Sequence, residues 1–175
     1  MSLLRRKVLA RLSLSLAVMV VVLYRPPNAL LAESNGRSKE SLRGRSFSVE
    51  VNVSESAKKL GIQSENLESR LLADLFRRGI NPKDESKSCL CLTIGILKAK
   101  GRDILSWSCS LDFYQAVKSL SGQTWYGQAC TWSIDSYGMV GSENVRSIEK
   151  VIDDFAKAFA GDYLEVNTAG KTKDN

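Results

Sequence analysis

The chain has 175 residues and a net charge of +6, but five unopposed bases lie within residues 1–32, and the 20 bases and 19 acids that follow leave only +1. This balance fits one ordinary globular domain and excludes nucleic acid as a partner, because phosphate binding needs a surplus of cations. The chain has no His, which removes the usual activator of Ser and Cys nucleophiles and the commonest metal ligand, so we expect no enzyme, no cofactor and no metal site.

Residues 1–32 have the layout of a secretory signal peptide. Four bases within residues 5–11 precede an apolar run over residues 12–24, and this run is shorter than the roughly 20 residues that cross a bilayer as a helix. Ala32 suits the last position before a cleavage site, but Leu30 does not suit the position two residues earlier, so an uncleaved N-terminal anchor stays open. We therefore expect export to the periplasm or beyond, with membrane contact only through residues 1–32 if they are retained.

Two polar segments frame the folded part of the chain. Residues 33–44 contain few large apolar side chains and predict a disordered linker, and residues 168–175 predict a disordered tail for the same reason. Neither internal repeats nor low-complexity runs interrupt the residues between these segments. The sequence therefore predicts one domain over residues 45–167.

Apolar periodicity over this domain predicts the element order β-α-β-β-β-α. The predicted elements are, in chain order, a strand at 47–53, a helix at 64–78, strands at roughly 88–98, 104–117 and 123–135, and a helix at 142–163. Gly138 and Gly141 indicate a turn between the last strand and the last helix. This order predicts an α+β fold, a two-layer sandwich in which two helices cover one face of a mainly antiparallel four-stranded sheet.

The hairpin between the second and third strands decides which side chains share a face. A two-residue turn at 100–101 places Leu90 opposite Leu111. One face then collects the large apolar residues Leu90, Leu92, Ile94, Ile96, Leu105, Trp107, Cys109, Leu111 and Phe113, joined by Tyr126, Cys130, Trp132 and Ile134 from the last strand. This face is the predicted core side of the sheet, and the opposite face is small and polar.

Four cysteines in an exported chain raise the question of disulfides. Cys109 and Cys130 lie on adjacent strands of the predicted core face, where they either form a disulfide across the sheet or pack as two buried thiols. Cys89 and Cys91 are two residues apart on one strand and are not expected to bridge each other. Because the two pairs point to opposite faces, the sequence predicts no zinc site.

The small polar face is the candidate binding surface. Trp125 falls among serine, glycine and alanine side chains, where an aromatic ring offers a platform for a ligand. The alternative is that Trp125 packs against its neighbours near the start of the strand. The candidate binding residues are Trp125, Ser106, Ser108, Ser110 and Thr131.

The last helix carries an acidic surface that has two interpretations. The acids are Glu149, Asp153, Asp154 and Asp162. Two of them could act as a hydrolytic acid pair. Bases are interleaved with them, however, as in the i,i+4 pair of Asp153 and Lys157, which is typical of a solvated helix face.

The C-terminal third carries a distinctive pattern of residues. It comprises Thr131-Trp132-Ser133, Gly138, Val140-Gly141, Ile148, Val151, Asp153 and Phe155, and Tyr163-Leu164 with Val166-Asn167. This pattern resembles that of a group of small exported bacterial proteins of unknown function. Gly79-Ile80 and the pair Leu90 and Leu92 agree with it, so the likeness covers most of residues 47–167. The resemblance implies a bacterial, periplasmic or secreted protein, and it carries no known active site.

These observations lead to two hypotheses about function. The first is a non-catalytic exported module that binds another protein or an envelope component. The alternative is a carboxylate-dependent hydrolase of envelope polymers. The lack of His and of any nucleophile or cofactor motif favours the first.

Overall fold

The computed structural model describes residues 39–118 and 126–168, and these residues form the α+β fold that the sequence predicts. In chain order the elements are a 3-10 helix (Lys39–Leu42), β1 (Ser48–Val53), α1 (Glu55–Lys58), α2 (Ser64–Arg77), β2 (Cys89–Lys98), β3 (Ile104–Lys118), β4 (Tyr126–Gly141), a second 3-10 helix (Ser142–Ile148) and α3 (Glu149–Thr168). The four strands and the two long helices, α2 and α3, follow the predicted order. Within the described residues, no helix has the length and apolar character needed to span a bilayer.

The four strands form one sheet in the order β1-β2-β3-β4. β1 pairs with β2 in parallel, and the other two pairs are antiparallel. The parallel pair is possible because the connection through α1 and α2 returns the chain to the end of the sheet where β1 began. The sheet is therefore mixed but mainly antiparallel, and β1 and β4 are its edges.

The register of the β2–β3 hairpin differs by two residues from the predicted one. Leu90 pairs with Phe113 instead of Leu111. The turn spans residues 99–103, the amide of residue 99 donates to the carbonyl of residue 104 at 3.1 Å, and Gly101 has a φ of +71°. A shift of two residues leaves every side chain on its predicted face, because side chains alternate with a period of two.

A β-bulge in β4 changes which side chains face the core. Between Phe113 and Tyr114 of β3 the partner changes from Trp132 to Cys130, so Thr131 is the extra residue. Trp132 lies in the core and is 1% exposed, as predicted. Cys130 is exposed on the opposite face, and its predicted place on the core face is therefore wrong.

β4 continues to Gly141 instead of ending near Asp135, and the glycines that predict a turn lie within the strand. Gly138 pairs with Trp107 of β3. A Cβ at residue 138 would lie 3.1 Å from three atoms of the Trp107 ring. The glycine therefore makes room for this ring, and the strand passes through it without turning.

The core lies between the helices and one face of the sheet. Its largest fully buried side chains are Trp132, Phe47, Phe113, Phe155, Phe159, Leu42, Leu71, Leu75, Leu90, Leu92, Ile94 and Ile96. Phe159 of α3 is central, because its ring centroid lies 5.2 Å from that of Trp132 and 5.3 Å from that of Phe47, both edge to face. This packing holds α3 against the sheet, and no helix of residues 39–118 or 126–168 covers the other sheet face.

The first 3-10 helix belongs to the folded domain, which corrects the prediction that the linker extends to residue 44. Leu42 is fully buried in the core. Lys39 pairs with Asp162 of α3 at 3.0 Å, and the Asn167 side chain donates to the Leu42 carbonyl at 3.0 Å. One buried side chain and these polar contacts with α3 hold the segment in place, so the domain includes residues from 39 onward.

Candidate functional site

The sheet face opposite the helices, which we call the open face, is the candidate functional surface. Its side chains include Glu50 and Asn52 of β1, Cys89, Cys91, Thr93, Gly95 and Leu97 of β2, Ile104, Ser106, Ser108, Ser110, Asp112 and Tyr114 of β3, and Cys130, Asp135, Tyr137 and Met139 of β4. All of these residues are exposed or half-buried, whereas most of their sequence neighbours in β2 and β3 are buried and those in β1 and the second half of β4 are half-buried. The core face lies where the alternation predicts it, but the opposite face also carries large side chains that were not predicted there.

A groove of about 500 Å³ lies on the open face beside α1. It is lined by Ser54, Ser56, Gly95, Ile96, Leu97, Ser106, Trp107, Ser108 and Tyr137. Gly95 pairs with Ser108, and a Cβ at residue 95 would lie 2.9 Å from the Ser108 Oγ. The groove therefore depends on small residues in the middle strands, with larger side chains at its margins.

The α1 side of the groove is held by the hydroxyl of Ser54. This Oγ accepts the amide of Ile96 at 3.2 Å and the amide of Ala57, in the first turn of α1, at 3.3 Å. The first contact crosses to β2 and the second caps the short helix. Ser54 thus fixes α1 against the sheet, and its place in the groove has a structural reason.

Four exposed apolar side chains, which we call the apolar rim, lie at the groove end of the open face. They are Leu97 (72% exposed), Met139 (71%), Tyr137 (70%) and Ile104 (40%). Leu97 and Met139 both pair with Ser106, one from each side, and Tyr137 pairs with Ser108. Among the described residues the only other exposed large hydrophobic side chain is Phe76, on α2. The apolar rim is therefore a cluster, and clustering is what distinguishes a binding surface from scattered exposure.

The opposite end of the open face is polar and carries thiols. Cys89 and Cys130 both pair with Tyr114, one from each neighbouring strand, and the Cys130 Sγ lies 3.8 Å from Asp112 Oδ1. Burial raises the pKa of Cys89, and the charge of Asp112 raises the pKa of Tyr114. Cys89 and Tyr114 therefore hold their protons at neutral pH, and Cys89 is not an activated nucleophile.

The structure distributes the predicted binding residues unevenly. Ser106 and Ser108 line the groove. Ser110 lies next along β3, where its hydroxyl donates to Asp112 at 2.8 Å. Thr131 is not on this surface, because the bulge turns its hydroxyl toward the buried Gln115, which donates to it at 2.9 Å. Trp125 and the side chain of Tyr126 lie outside the described residues.

The candidate disulfide between Cys109 and Cys130 is not formed, and the register explains why. Cys109 pairs with Ser136, whereas Cys130 pairs with Tyr114, five residues further along β3. The bulge also places the two sulfurs on opposite faces, beyond the reach of a disulfide. Burial raises the pKa of Cys109 to about 12, so this side chain acts as a small apolar residue of the core.

Three of the four acids that the sequence places on this surface, Glu149, Asp153 and Asp162, have partners within the fold. Arg70 of α2 donates to Asp153 through Nε at 2.8 Å and Nη2 at 2.6 Å, and it lies 3.3 Å from Glu149. Asp162 accepts the indole N–H of Trp132 at 2.9 Å. Among the described residues, no three His, Cys, Asp or Glu side chains are placed to hold a metal ion. The acidic surface therefore joins α3 to its neighbours.

The apolar rim was not predicted, although the sequence carries a signal for it. Residues 134–140 alternate strictly, with Asp135, Tyr137 and Met139 on one side and smaller or branched residues on the other. This alternation indicates a strand. Gly138 masks the signal, because a glycine between two apolar positions is typical of a turn.

No protein-family model and no curated protein matches the chain. The solved structures that are similar to it include a variant of the PelC dodecamer from Paraburkholderia phytofirmans, with a TM-score of 0.39 and 13% identity over 67% of this chain and 90% of that one. A crystal structure of an uncharacterised protein has a TM-score of 0.37 and 14% identity over 67% and 90%. Rare lipoprotein B from Shewanella oneidensis has a TM-score of 0.26 and 12% identity over 71% and 96%. These likenesses are too distant to assign a function.

Proposed function

We propose that this chain is an exported, non-catalytic module that binds an envelope component through the open face of its sheet. The observation that carries the proposal is the apolar rim beside the groove. Three of its side chains, Leu97 of β2 and Tyr137 and Met139 of β4, are at least 70% exposed on the two strands that flank β3. Exposing such a cluster to water is unfavourable unless a partner covers it.

The shape of the surface also supports recognition. The small residues Gly95, Ser106 and Ser108 leave space between Leu97 on one side and Tyr137 on the other. A partner group that enters this space contacts apolar side chains at the margins and hydroxyl groups along the floor. Pockets that combine apolar walls with a few polar groups are typical of ligand and partner sites.

The chemistry available in the described residues supports a non-catalytic role. Cys109 is buried and protonated, and Asp153 is held by Arg70 in a two-point contact. None of the residues that line the groove is an acid. A hydrolase of envelope polymers would need two carboxyl groups that converge on one cleft. Export is supported by the basic and apolar layout of residues 1–32.

Site-specific photocrosslinking in the native host tests the proposal. A p-benzoylphenylalanine residue replaces Tyr137 in one variant and Phe76 in another, since both positions are exposed aromatic side chains but only the first is on the open face. We expect a discrete crosslinked product from position 137 that is absent from position 76. We also expect Leu97→Ser to abolish it. Equal products from both positions, or none from position 137, would contradict the proposal.

A further inference from the structure

We infer that the envelope component is the anionic surface of a lipid bilayer, and that the domain meets it with the groove end of the sheet. This inference rests on the proposed function and names its partner. It departs from the expectation that membrane contact runs only through residues 1–32. The surface, which we call the hairpin end, comprises residues 54–61, 97–104 and 137–147.

Three segments meet at the hairpin end. The β2–β3 turn follows Lys98, the last residue of β2, and leads into Ile104, the first residue of β3. Ile104 pairs with Gly141, the last residue of β4, which brings the start of the second 3-10 helix beside the turn. On the β2 side of the hairpin, the amide of Ser54, which precedes α1, donates a hydrogen bond to the carbonyl of Ile94. The surface is therefore continuous across α1, the turn and the end of β4.

Positive charge is concentrated on the hairpin end. Its bases are Lys58, Lys59, Lys98, Lys100, Arg102 and Arg146, and its acids are Glu55, Asp103 and Glu143. The whole chain after residue 32 carries only +1, so the rest of the domain offsets this local excess. Lys58 pairs with Glu55 at 2.8 Å and Lys98 lies 3.8 Å from Asp103. The other four bases are exposed and form no ion pair with a described residue.

The apolar rim and the cations occupy the same end. Leu97 and Ile104 flank the turn that carries Lys100 and Arg102. Apolar side chains next to basic ones are the signature of surfaces that lie in the headgroup region of a bilayer, where the apolar groups insert and the cations meet lipid phosphates. Tyr137 adds a ring with a polar tip, a side chain that favours this interface.

The same charges argue against the other occupants. A second copy that docked through the same end would place like charges against each other, since a two-fold contact presents one surface to itself. The net excess of three cations is small for a nucleic-acid site, which also has no use for four exposed apolar side chains. A bilayer with anionic lipids would bury the apolar rim among its acyl chains and pair the cations with its lipid phosphates.

The test places a fluorescent reporter on the surface itself, so that residues 1–32 in the full chain do not decide the result. Dansylalanine replaces Met139, and a control variant carries it at Phe76. Vesicles of phosphatidylcholine with phosphatidylglycerol are compared with vesicles of phosphatidylcholine alone. We expect a blue shift at position 139 only with the anionic vesicles, and no shift at position 76.

Charge variants test the role of the cations. The three substitutions Lys98→Gln, Lys100→Gln and Arg102→Gln, made together, should raise the lipid concentration needed for half-maximal binding on the order of 100-fold. The matched control carries Lys83→Gln, Lys87→Gln and Lys157→Gln, which change the net charge equally at exposed positions away from the hairpin end. In this control the lipid concentration for half-maximal binding should stay within about threefold of the parent value. An equal loss in both variants would contradict a site on the hairpin end.

The remaining outcomes separate this inference from the proposed function. No shift at position 139, an equal shift with uncharged vesicles, or a shift that depends on protein concentration without vesicles overturns the lipid partner. If position 137 still crosslinks to a protein in cells, the proposed function stands with a protein partner. If position 137 gives no crosslinked product and position 139 gives no fluorescence shift, both proposals fail.

Discussion

Gln115 is a buried amide with incomplete hydrogen bonding. It is 7% exposed, its Nε2 donates to the Thr131 hydroxyl at 2.9 Å, and its Oε1 has no partner among the described residues. Removing the Thr131 hydroxyl takes away the acceptor for the Gln115 Nε2, so both polar atoms of the amide then lack this kind of side-chain partner among the described residues. We therefore expect Thr131→Val to lower the free energy of unfolding by about 1–3 kcal/mol, measured by urea denaturation.

A double-mutant cycle separates the loss of this hydrogen bond from the loss of packing. Gln115→Leu removes the unpartnered oxygen, so the double variant Gln115→Leu/Thr131→Val should recover most of the stability. An additive loss in the double variant would mean that the two side chains are not coupled. It would also contradict the bulge geometry that turns Thr131 toward Gln115.

Cys109 links stability to alkaline pH. Burial raises its pKa from 9.0 to about 12, so the folded protein keeps a proton that the unfolded chain loses. The stabilisation from this group is fully present below pH 9 and is lost as the pH rises toward 12. Within that range the unfolding free energy should fall by about 1.4 kcal/mol per pH unit through this residue.

Two apolar replacements of Cys109 isolate this effect from packing. Cys109→Ala and Cys109→Val differ in volume, so they differ in stability at pH 7. Neither replacement titrates, and both should show a shallower loss of stability between pH 9 and 12 than the parent chain. Parallel curves for the parent and both variants would contradict a buried, protonated thiol.

At the scale of the elements, the first 3-10 helix decides where the domain begins. Leu42 is fully buried, although it lies in a segment with few apolar residues. We expect Leu42→Ala to lower the unfolding free energy by about 2–5 kcal/mol, because it leaves a cavity in the core. Leu97→Ala, at 72% exposure, is the matched control and should change stability by less than about 0.5 kcal/mol. Equal effects would place Leu42 outside the core.

Alternation in the sequence predicts the faces of β2 and β3, because every second residue from Leu90 to Ile96 and from Leu105 to Phe113 is apolar. The register and the bulge were not predictable in the same way. The hairpin turn has five residues, with Gly101 in a left-handed conformation, and its length sets how the two strands are aligned. Because Thr131 is an extra residue, the β4 side chains before it face the opposite side of the sheet from the side that alternation with the later residues predicts. The pattern of side chains before Thr131 does not reveal this change.

The sequence predicts the small residues of the candidate site but not the large ones. Ser106 and Ser108 follow from the strand pattern, but Tyr137 and Met139 lie beyond the predicted end of β4. The reason is a tertiary contact, since Gly138 is required by the Trp107 ring on the core face. A glycine that serves packing has the same appearance in the sequence as one that forms a turn.

At the scale of the whole molecule, charge separates the N-terminal segment from the domain. The full chain has a pI near 9.2, yet the residues after 32 carry only +1. If residues 1–32 are removed on export, the exported form should focus well below the pI of the full chain. Intact mass and isoelectric focusing of protein recovered from the periplasm or medium measure both changes on one sample.

The same measurement decides between the two readings of residues 1–32. A mass that lacks this segment, together with the lower pI, supports a cleaved signal peptide. A mass that retains it supports an N-terminal anchor, and the five unopposed bases then stay with the protein. In that case the anchor would hold the domain near a bilayer, and the hairpin end would bind lipid at a high effective concentration. Vesicle binding by the hairpin end should then depend less on salt in the anchored form than in the processed one, because one attachment already overcomes the entropic cost of association.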